Sequence, residues 1–211
     1  LQTLMSLAPK KCESSVPTVV LLTPGHLNSA YYEHTFLSDQ MGIEMVEAQD
    51  LFVENDFLYM KTVDGPKKID VVYRRIDDDY LDPLAYNPNS VIGVPGITHV
   101  YKTGGVNICS APGAGIADDK AVYIYVPEMI KFYLGETPIL DNVQTWRCER
   151  DDDLKYVLEN IDELVIKEVD GSGGHGMLIG PKSTKQEIED FSSKLKLHPE
   201  GYIAQPTLDL S

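Results

Sequence analysis

Long apolar runs are missing from this 211-residue chain. No window approaches the roughly 18 uninterrupted apolar residues of a membrane-crossing helix, so no membrane partner is expected. Basic residues are scarce: 18 Lys and Arg stand against 33 Asp and Glu, for a formal charge of −15. A nucleic-acid partner would require a basic face, and none can be assembled from this composition. Cysteine is scarcer still. Cys12, Cys109 and Cys148 are odd in number and widely spaced. They form no CxxC or CxxH pair, which argues against zinc and against a disulfide framework and fits a reducing cytoplasm. No basic n-region of a signal peptide opens the chain, and no initiator methionine does either, so Leu1 reads as an internal cut. A strand–GxGxxG–helix unit is absent, which counts against a dinucleotide-dependent oxidoreductase.

The composition that remains is that of a globular protein, 43% apolar and 24% charged. It suffices for one large or two small domains. The densest signal lies at 164–180. The apolar residues 164–166 lead to Lys167, a loop carries Gly171, Ser172, Gly173, Gly174, His175 and Gly176, and a second apolar run follows at 177–179. Strand, glycine loop, strand is the implied order. Glycines remove Cβ atoms where backbone must approach something closely, and successive N–H groups in such a loop can cradle an anion. Lys167 brings a compact positive charge to its edge. A phosphate grip is expected, against the plainer alternative of a glycine-rich hairpin with a solvent-facing lysine. That alternative needs one glycine rather than four. The loop is not a Walker A sequence, since no Lys-Ser/Thr follows it.

Taken in order, residues 1–16 read as the tail of a helix and a polar connector. A strand is expected at 16–23, a helix at 26–40 stopped by Gly42, and a strand at 43–48, which together make a βαβ unit of an open sheet. A hairpin follows at 51–63 with Asp64 and Gly65 as its turn, then a strand at 69–73. That strand delivers Arg74, Arg75, Asp77 and Asp78 to its carboxyl end, where open α/β sheets bind ligands. The two arginines suit a substrate carboxylate or phosphate; a solvated charge cluster is the equally weighted alternative. Residues 87–115 read as closely packed loops. A helix is expected to open at 117–120 with Asp118 or Asp119 as N-cap, which sets Lys120 near a positive helix end unless an anion sits there or the lysine simply reaches solvent. Helices at 151–160 and 184–195 and a strand at 201–208 complete the chain.

Asp119-Lys120, Val165-Ile-Lys167, the loop Gly171–Met177 and Tyr202-Ile-Ala-Gln205 together resemble an ATP-grasp nucleotide site. With Tyr31-Tyr-Glu-His-Thr-Phe-Leu37, Val72-Tyr-Arg-Arg-Ile-Asp-Asp78, Leu81-Asp-Pro83 and Ala204-Gln-Pro-Thr-Leu208, the chain resembles the circularly permuted ATP-grasp (type 2) proteins related to glutathionylspermidine synthetase. The resemblance implies an α/β fold: an open-sheet domain over 16–110, a bridging segment over 111–144, and an α+β nucleotide-lid subdomain over 145–211. Lys120 and Lys167 would contact ATP phosphates and the loop 171–176 would close over them. His175 takes a loop or phosphate-contact role, and Tyr202, Ile203, Ala204 and Gln205 would form the adenine hinge. Arg74, Arg75, Asp77 and Asp78 fall on the substrate side.

The resemblance also implies ATP and Mg²⁺, with the metal ligands outside this chain and none within it. The whole protein would be a carboxylate–amine ligase acting on small-molecule or peptide carboxylates and amines. A non-catalytic nucleotide-binding or scaffold protein is the alternative. The isolated 211 residues are expected to be inactive.

Overall fold

The computed structural model describes residues 1–208 apart from Ser172 and His175. The chain forms two compact units, Leu1–Ala114 and Gly115–Ser211. It is a mixed α/β protein with one parallel and two antiparallel sheets. Among the described residues no helix is long and apolar enough to cross a membrane.

In the first unit, helix α1 (Gln2–Met5) precedes strand β1 (Val19–Leu22), whose four residues are all buried. Such an unbroken apolar run belongs to a strand covered on both faces. Helix α2 (Tyr31–Met41) ends at Gly42, which takes φ 63°, a left-handed cap that glycine adopts without strain. Strand β2 (Glu44–Val46) then lies parallel to β1.

A three-stranded antiparallel meander follows: β3 (Leu51–Glu54), β4 (Phe57–Met60) and β5 (Lys67–Ile69). The first reversal falls at Asn55 and Asp56, both with positive φ as a tight hairpin turn demands. Asp64 and Gly65, expected to close that hairpin, instead carry the chain from β4 into β5. The strand expected over 69–73 is in fact divided. Asp70 interrupts it, its carboxylate accepting the Thr18 N–H at 2.9 Å, and β6 (Val71–Arg74) runs parallel to β1.

Helix α3 (Asp78–Leu81) leaves the end of β6. The segment read as loops holds two short elements, α4 (Ile97–Lys102) and β7 (Asn107–Cys109), the latter pairing parallel with β6. Its loops are fixed by Asp82, whose buried carboxylate accepts the N–H groups of Leu84, Gly96 and Thr98 at 2.9–3.0 Å. The parallel sheet is therefore ordered β2-β1-β6-β7. Val20, Leu22 and Val72 on one face join Leu51, Leu58, Ile69, Ile97 and Val100 in a core that cements meander and α4 to the sheet.

After a 3₁₀ turn at the boundary of the units, Ala114–Ala117, the second unit makes another, Val122–Tyr125, before helix α5 (Val126–Leu134). The α-helix expected to open at 117–120 thus begins several residues later. The N-cap position of the second 3₁₀ turn is Ala121 rather than Asp118 or Asp119; Asp119 lies two residues earlier and accepts the N–H groups of Ala121 (2.7 Å) and Val122 (3.3 Å). Then come β8 (Trp146–Arg147), α6 (Asp151–Glu159), β9 (Leu164–Glu168), β10 (Leu178–Ile179), α7 (Lys185–Leu197) and β11 (Tyr202–Pro206).

Thr184 and Glu187 form a reciprocal capping box at the start of α7. The sheet is antiparallel, ordered β10-β9-β11-β8. One of its faces, through Ile166, Leu178 and Ala204, packs on Val157 of α6 and Phe191 and Leu195 of α7. Cys148 is buried in this core, which pushes its thiol up to about 12. Such a thiol is inert rather than nucleophilic.

Candidate functional site

The period of two along a strand divides β9 and β11 between two tasks. Tyr202 pairs with Glu168 and Ala204 with Ile166, and this set faces the helices; the Tyr202 ring meets Phe191 at 5.5 Å. Ile203 pairs with Lys167 and Gln205 with Val165 on the opposite face. There a cleft of about 480 Å³ opens, walled by Val122, Tyr123, Val126 and Ile203 and holding Lys120 and Lys167. Of the expected hinge residues, then, Ile203 and Gln205 line the cleft while the side chains of Tyr202 and Ala204 belong to the core. The backbone of Ile203 and Ala204 is paired on both sides, with β9 and with β8.

Lys167 Nζ donates to Gln205 Oε1 at 2.8 Å. The Gln205 amide is itself oriented by donating to Thr145 Oγ1 at 2.9 Å, and Thr145 donates to Val143 O at 2.9 Å. Lys120 is fastened by its main chain, N–H to Val169 O at 3.0 Å, and its ammonium donates to Gly171 O and, at 3.4 Å, to Val169 O. Lys120 therefore holds the near stem of the glycine loop. Among the described residues neither lysine has a carboxylate within 4 Å. Asp118 and Asp119 also line the cleft but pair with neither lysine, so both half-buried ammonium groups keep donors free for an anion.

The loop has the backbone that its glycines allow. Gly173, Gly174 and Gly176 take φ of 64°, 78° and 66°. A Cβ on Gly176 would also collide with the Glu168 carboxylate. Ser172 and His175, both expected to contact nucleotide, lie outside the described residues.

A feature that the sequence reading passed over is Arg147, which extends the row Lys167–Ile203 onto β8. Its guanidinium donates to the Tyr125 hydroxyl at 2.5 Å and pairs with Glu149, while Arg150 donates to the same hydroxyl at 3.3 Å. The strand pattern of 145–148 was the available signal, but a two-residue strand carries little of it.

The expected substrate-side residues belong to the first unit. Arg74, with a side chain 9% exposed, donates to Ile76 O (2.7 Å), Ser110 O (2.6 Å) and Ala111 O (3.2 Å) and pairs with Asp78. Asp78 also accepts the Gly113 N–H at 2.8 Å. Asp77 is exposed at the start of α3. Arg75 lies near α2, its Nη2 3.8 Å from Glu33.

Arg74→Ala is expected to lower stability by about 2 kcal/mol, because three carbonyls and Asp78 lose a charged donor together. Urea unfolding at neutral pH measures this; a loss below half a kcal/mol would deny Arg74 its fastening role.

The chain matches the circularly permuted ATP-grasp type 2 family over residues 1–211. It belongs to that family. A Synechocystis relative, itself uncharacterized, is 51% identical over 211 residues, covering all of this chain and 44% of the relative. A Frankia alni protein provisionally named a glutamate--cysteine ligase is 40% identical over 195 residues, 92% of this chain and 23% of that protein. The chain thus spans less than half the length of these relatives. In fold it is similar to D-alanyl-alanine synthetase A of Vibrio cholerae, with a TM-score of 0.51 at 9% identity over 93% of this chain and 61% of that one.

Proposed function

We propose that this chain supplies the phosphate-gripping wall of an ATP-dependent carboxylate–amine ligase. The observation that carries the proposal is the pair of half-buried lysines in one cleft, without carboxylate partners among the described residues, of which Lys120 also donates to Gly171 O at the stem of the glycine loop. The name of the Frankia alni relative supports a ligase of this class.

In the reaction, the substrate carboxylate attacks the γ-phosphorus of ATP, ADP leaves, and an acyl phosphate forms. An amine then attacks the acyl carbon and expels inorganic phosphate. Phosphoryl transfer of this kind needs positioning and charge neutralisation rather than a protein nucleophile. Lys120 and Lys167 are suited to phosphate oxygens, and the apolar wall with Ile203 to the base. The amide of Gln205, already oriented, offers polar groups beside it.

Magnesium would neutralise the polyphosphate. Its oxygen ligands, as the family resemblance implies, would come from a part of the family protein that this chain does not span. The carboxylate and amine are small molecules or peptides, and the cytoplasm, where ATP is made and used, is the fitting compartment.

Incubating a full-length family protein with ATP, Mg²⁺ and an ¹⁸O-labelled carboxylate pool should move label into inorganic phosphate. Label in AMP instead would establish an acyl adenylate and end this reading. Residues 1–211 alone are expected to bind ATP weakly and to turn none over, because this reading puts the metal ligands and the second wall of the cleft elsewhere in the family protein. Turnover by the purified chain that disappears in Lys167→Met would overturn that expectation.

A further inference from the structure

The two arginines that leave β6 have opposite surroundings. Arg74 spends its guanidinium on three carbonyls and Asp78. Arg75 anchors only its backbone, N–H to Leu22 O at 2.8 Å. Its Nε is buried without a hydrogen-bond partner. The nearest carboxylate is Glu33 at 3.8 Å, and Glu33 is 67% exposed. A buried charged donor left unpaired is costly, and groups in that condition are found where a ligand or ordered water completes the bond. The loose pair with exposed Glu33 is worth at most about 1 kcal/mol, so an incoming anion displaces it easily.

The position is equally telling. From β1 the chain winds outward to β2 on one side and returns to β6 on the other, so β1 and β6 flank the switch point of the parallel sheet. Their carboxyl ends deliver Thr23 to Gly25 and Arg75 to Asp77 to the crevice where open α/β sheets take ligands. His34 of α2 is buried close enough to feel the charge of Arg75. It is 1% exposed, with Nδ1 2.9 Å from Thr23 Oγ1, which also accepts the Gly25 N–H at 3.2 Å. Burial first, and the positive charge of Arg75 next, hold His34 below its ordinary value against the opposing pull of Glu33. The imidazole is therefore neutral near pH 7 and adds no positive charge beside Arg75. Glu47, beyond Thr23 on the β2 side, lines a separate recess of about 60 Å³ with Pro24 and Gln49.

We propose that Arg75 is the carboxylate receptor of the first unit, holding a carboxylate group of the substrate through the exposed Nη end of its guanidinium, and that Arg74 only fastens the loop beside it. Calling that carboxylate the substrate's rests on the ligase reading above; the binding site itself does not.

His34 is the reporter. With the chain labelled at histidine, the imidazole resonances are followed through pH titrations at constant ionic strength in acetate, in inorganic phosphate and in chloride. Acetate should raise the His34 pKa saturably, since an anion on Arg75 cancels its charge. Arg75→Gln should raise it without any anion and abolish the acetate response. Arg75→Lys, which keeps the charge and loses the fork, should weaken acetate at least about tenfold. No saturable response in the native chain, an unchanged response in either variant, or saturation by phosphate but not acetate would each overturn the assignment. Because no nucleotide is present, failure here is separate from failure of the ATP site. In the full-length protein Arg75→Lys should raise KM for the carboxylate and leave KM for ATP unchanged; the reverse pattern would place Arg75 in the nucleotide site.

Discussion

Lys167→Met in a full-length family protein is expected to weaken ATP binding by about 2–5 kcal/mol, roughly thirtyfold to several thousandfold, with little loss of stability. The magnitude follows from the surroundings of the ammonium. It is half-buried on β9 opposite Ile203, and its one bond in the described structure goes to a neutral amide, Gln205 Oε1 at 2.8 Å. A triphosphate would be its first directly paired counter-charge, since Asp118 and Asp119, which share the partly apolar lining of the cleft, lie more than 4 Å from it. Methionine keeps the length and flexibility of the side chain and removes the charge, so β9 should remain paired with β10 and β11. Stability should change little, because no ion pair is broken and Gln205 keeps its bond to Thr145. Calorimetric titration with ATP decides the matter. An affinity within twofold of the parent would remove Lys167 from the nucleotide site and leave the glycine loop without its assigned partner.

The sequence was informative where a single local cause is sufficient. The apolar run of β1 needs only burial on both faces, the end of α2 only a glycine at 42, and the start of α7 only Thr184 and Glu187 three residues apart. Lys120, Lys167 and the glycine loop were likewise visible together, and the structure brings both lysines into one cleft. Where the cause lies far along the chain, the reading fell short. Nothing near Arg74 and Arg75 tells them apart; the difference is made by the carbonyls of Ser110 and Ala111, more than thirty residues on. The short elements α4 and β7 were read as loops because six and three residues carry almost no period. Asp70 broke an apparently continuous strand by bonding back to Thr18. Within the motif at 202–205, alternation along the strand sends the side chains of Tyr202 and Ala204 to the other face from those of Ile203 and Gln205.

The largest stability effect in the first unit is expected from Asp82, which had been noticed only as part of a motif. Its carboxylate is 1% exposed and accepts three backbone N–H groups: Leu84 and Gly96 on Oδ1, Thr98 on Oδ2. It thereby caps α4 from sixteen residues away and pins the loop that carries Gly96 in its left-handed φ of 84°. Burial alone would push its carboxyl upward; the N–H groups of Thr98, Gly96 and Leu84 outweigh this and hold it below the ordinary aspartate value of 3.8. Asp82→Ala leaves three donors unpaired in a closed site, at about 1–3 kcal/mol each and less than additively. A total near 3–5 kcal/mol is expected, a fall in the unfolding temperature on the order of 10–20 °C. Asp82→Asn keeps an oxygen for one side of the loop, and about half that loss is expected. The sign with pH is fixed by the direction of the shift. A carboxyl that is lower in the folded state contributes its full stability above the unfolded value and loses it as pH falls through the folded one. The gap between the parent and Asp82→Ala should therefore be widest near neutrality and shrink in acid, below the ordinary aspartate range. Urea unfolding across that range, with intrinsic fluorescence and amide exchange at Gly96 and Thr98 as probes, tests both parts. A gap under 1 kcal/mol at neutral pH, or one that acid leaves unchanged, would show that the three N–H groups find other acceptors and that Asp82 does not hold the loop.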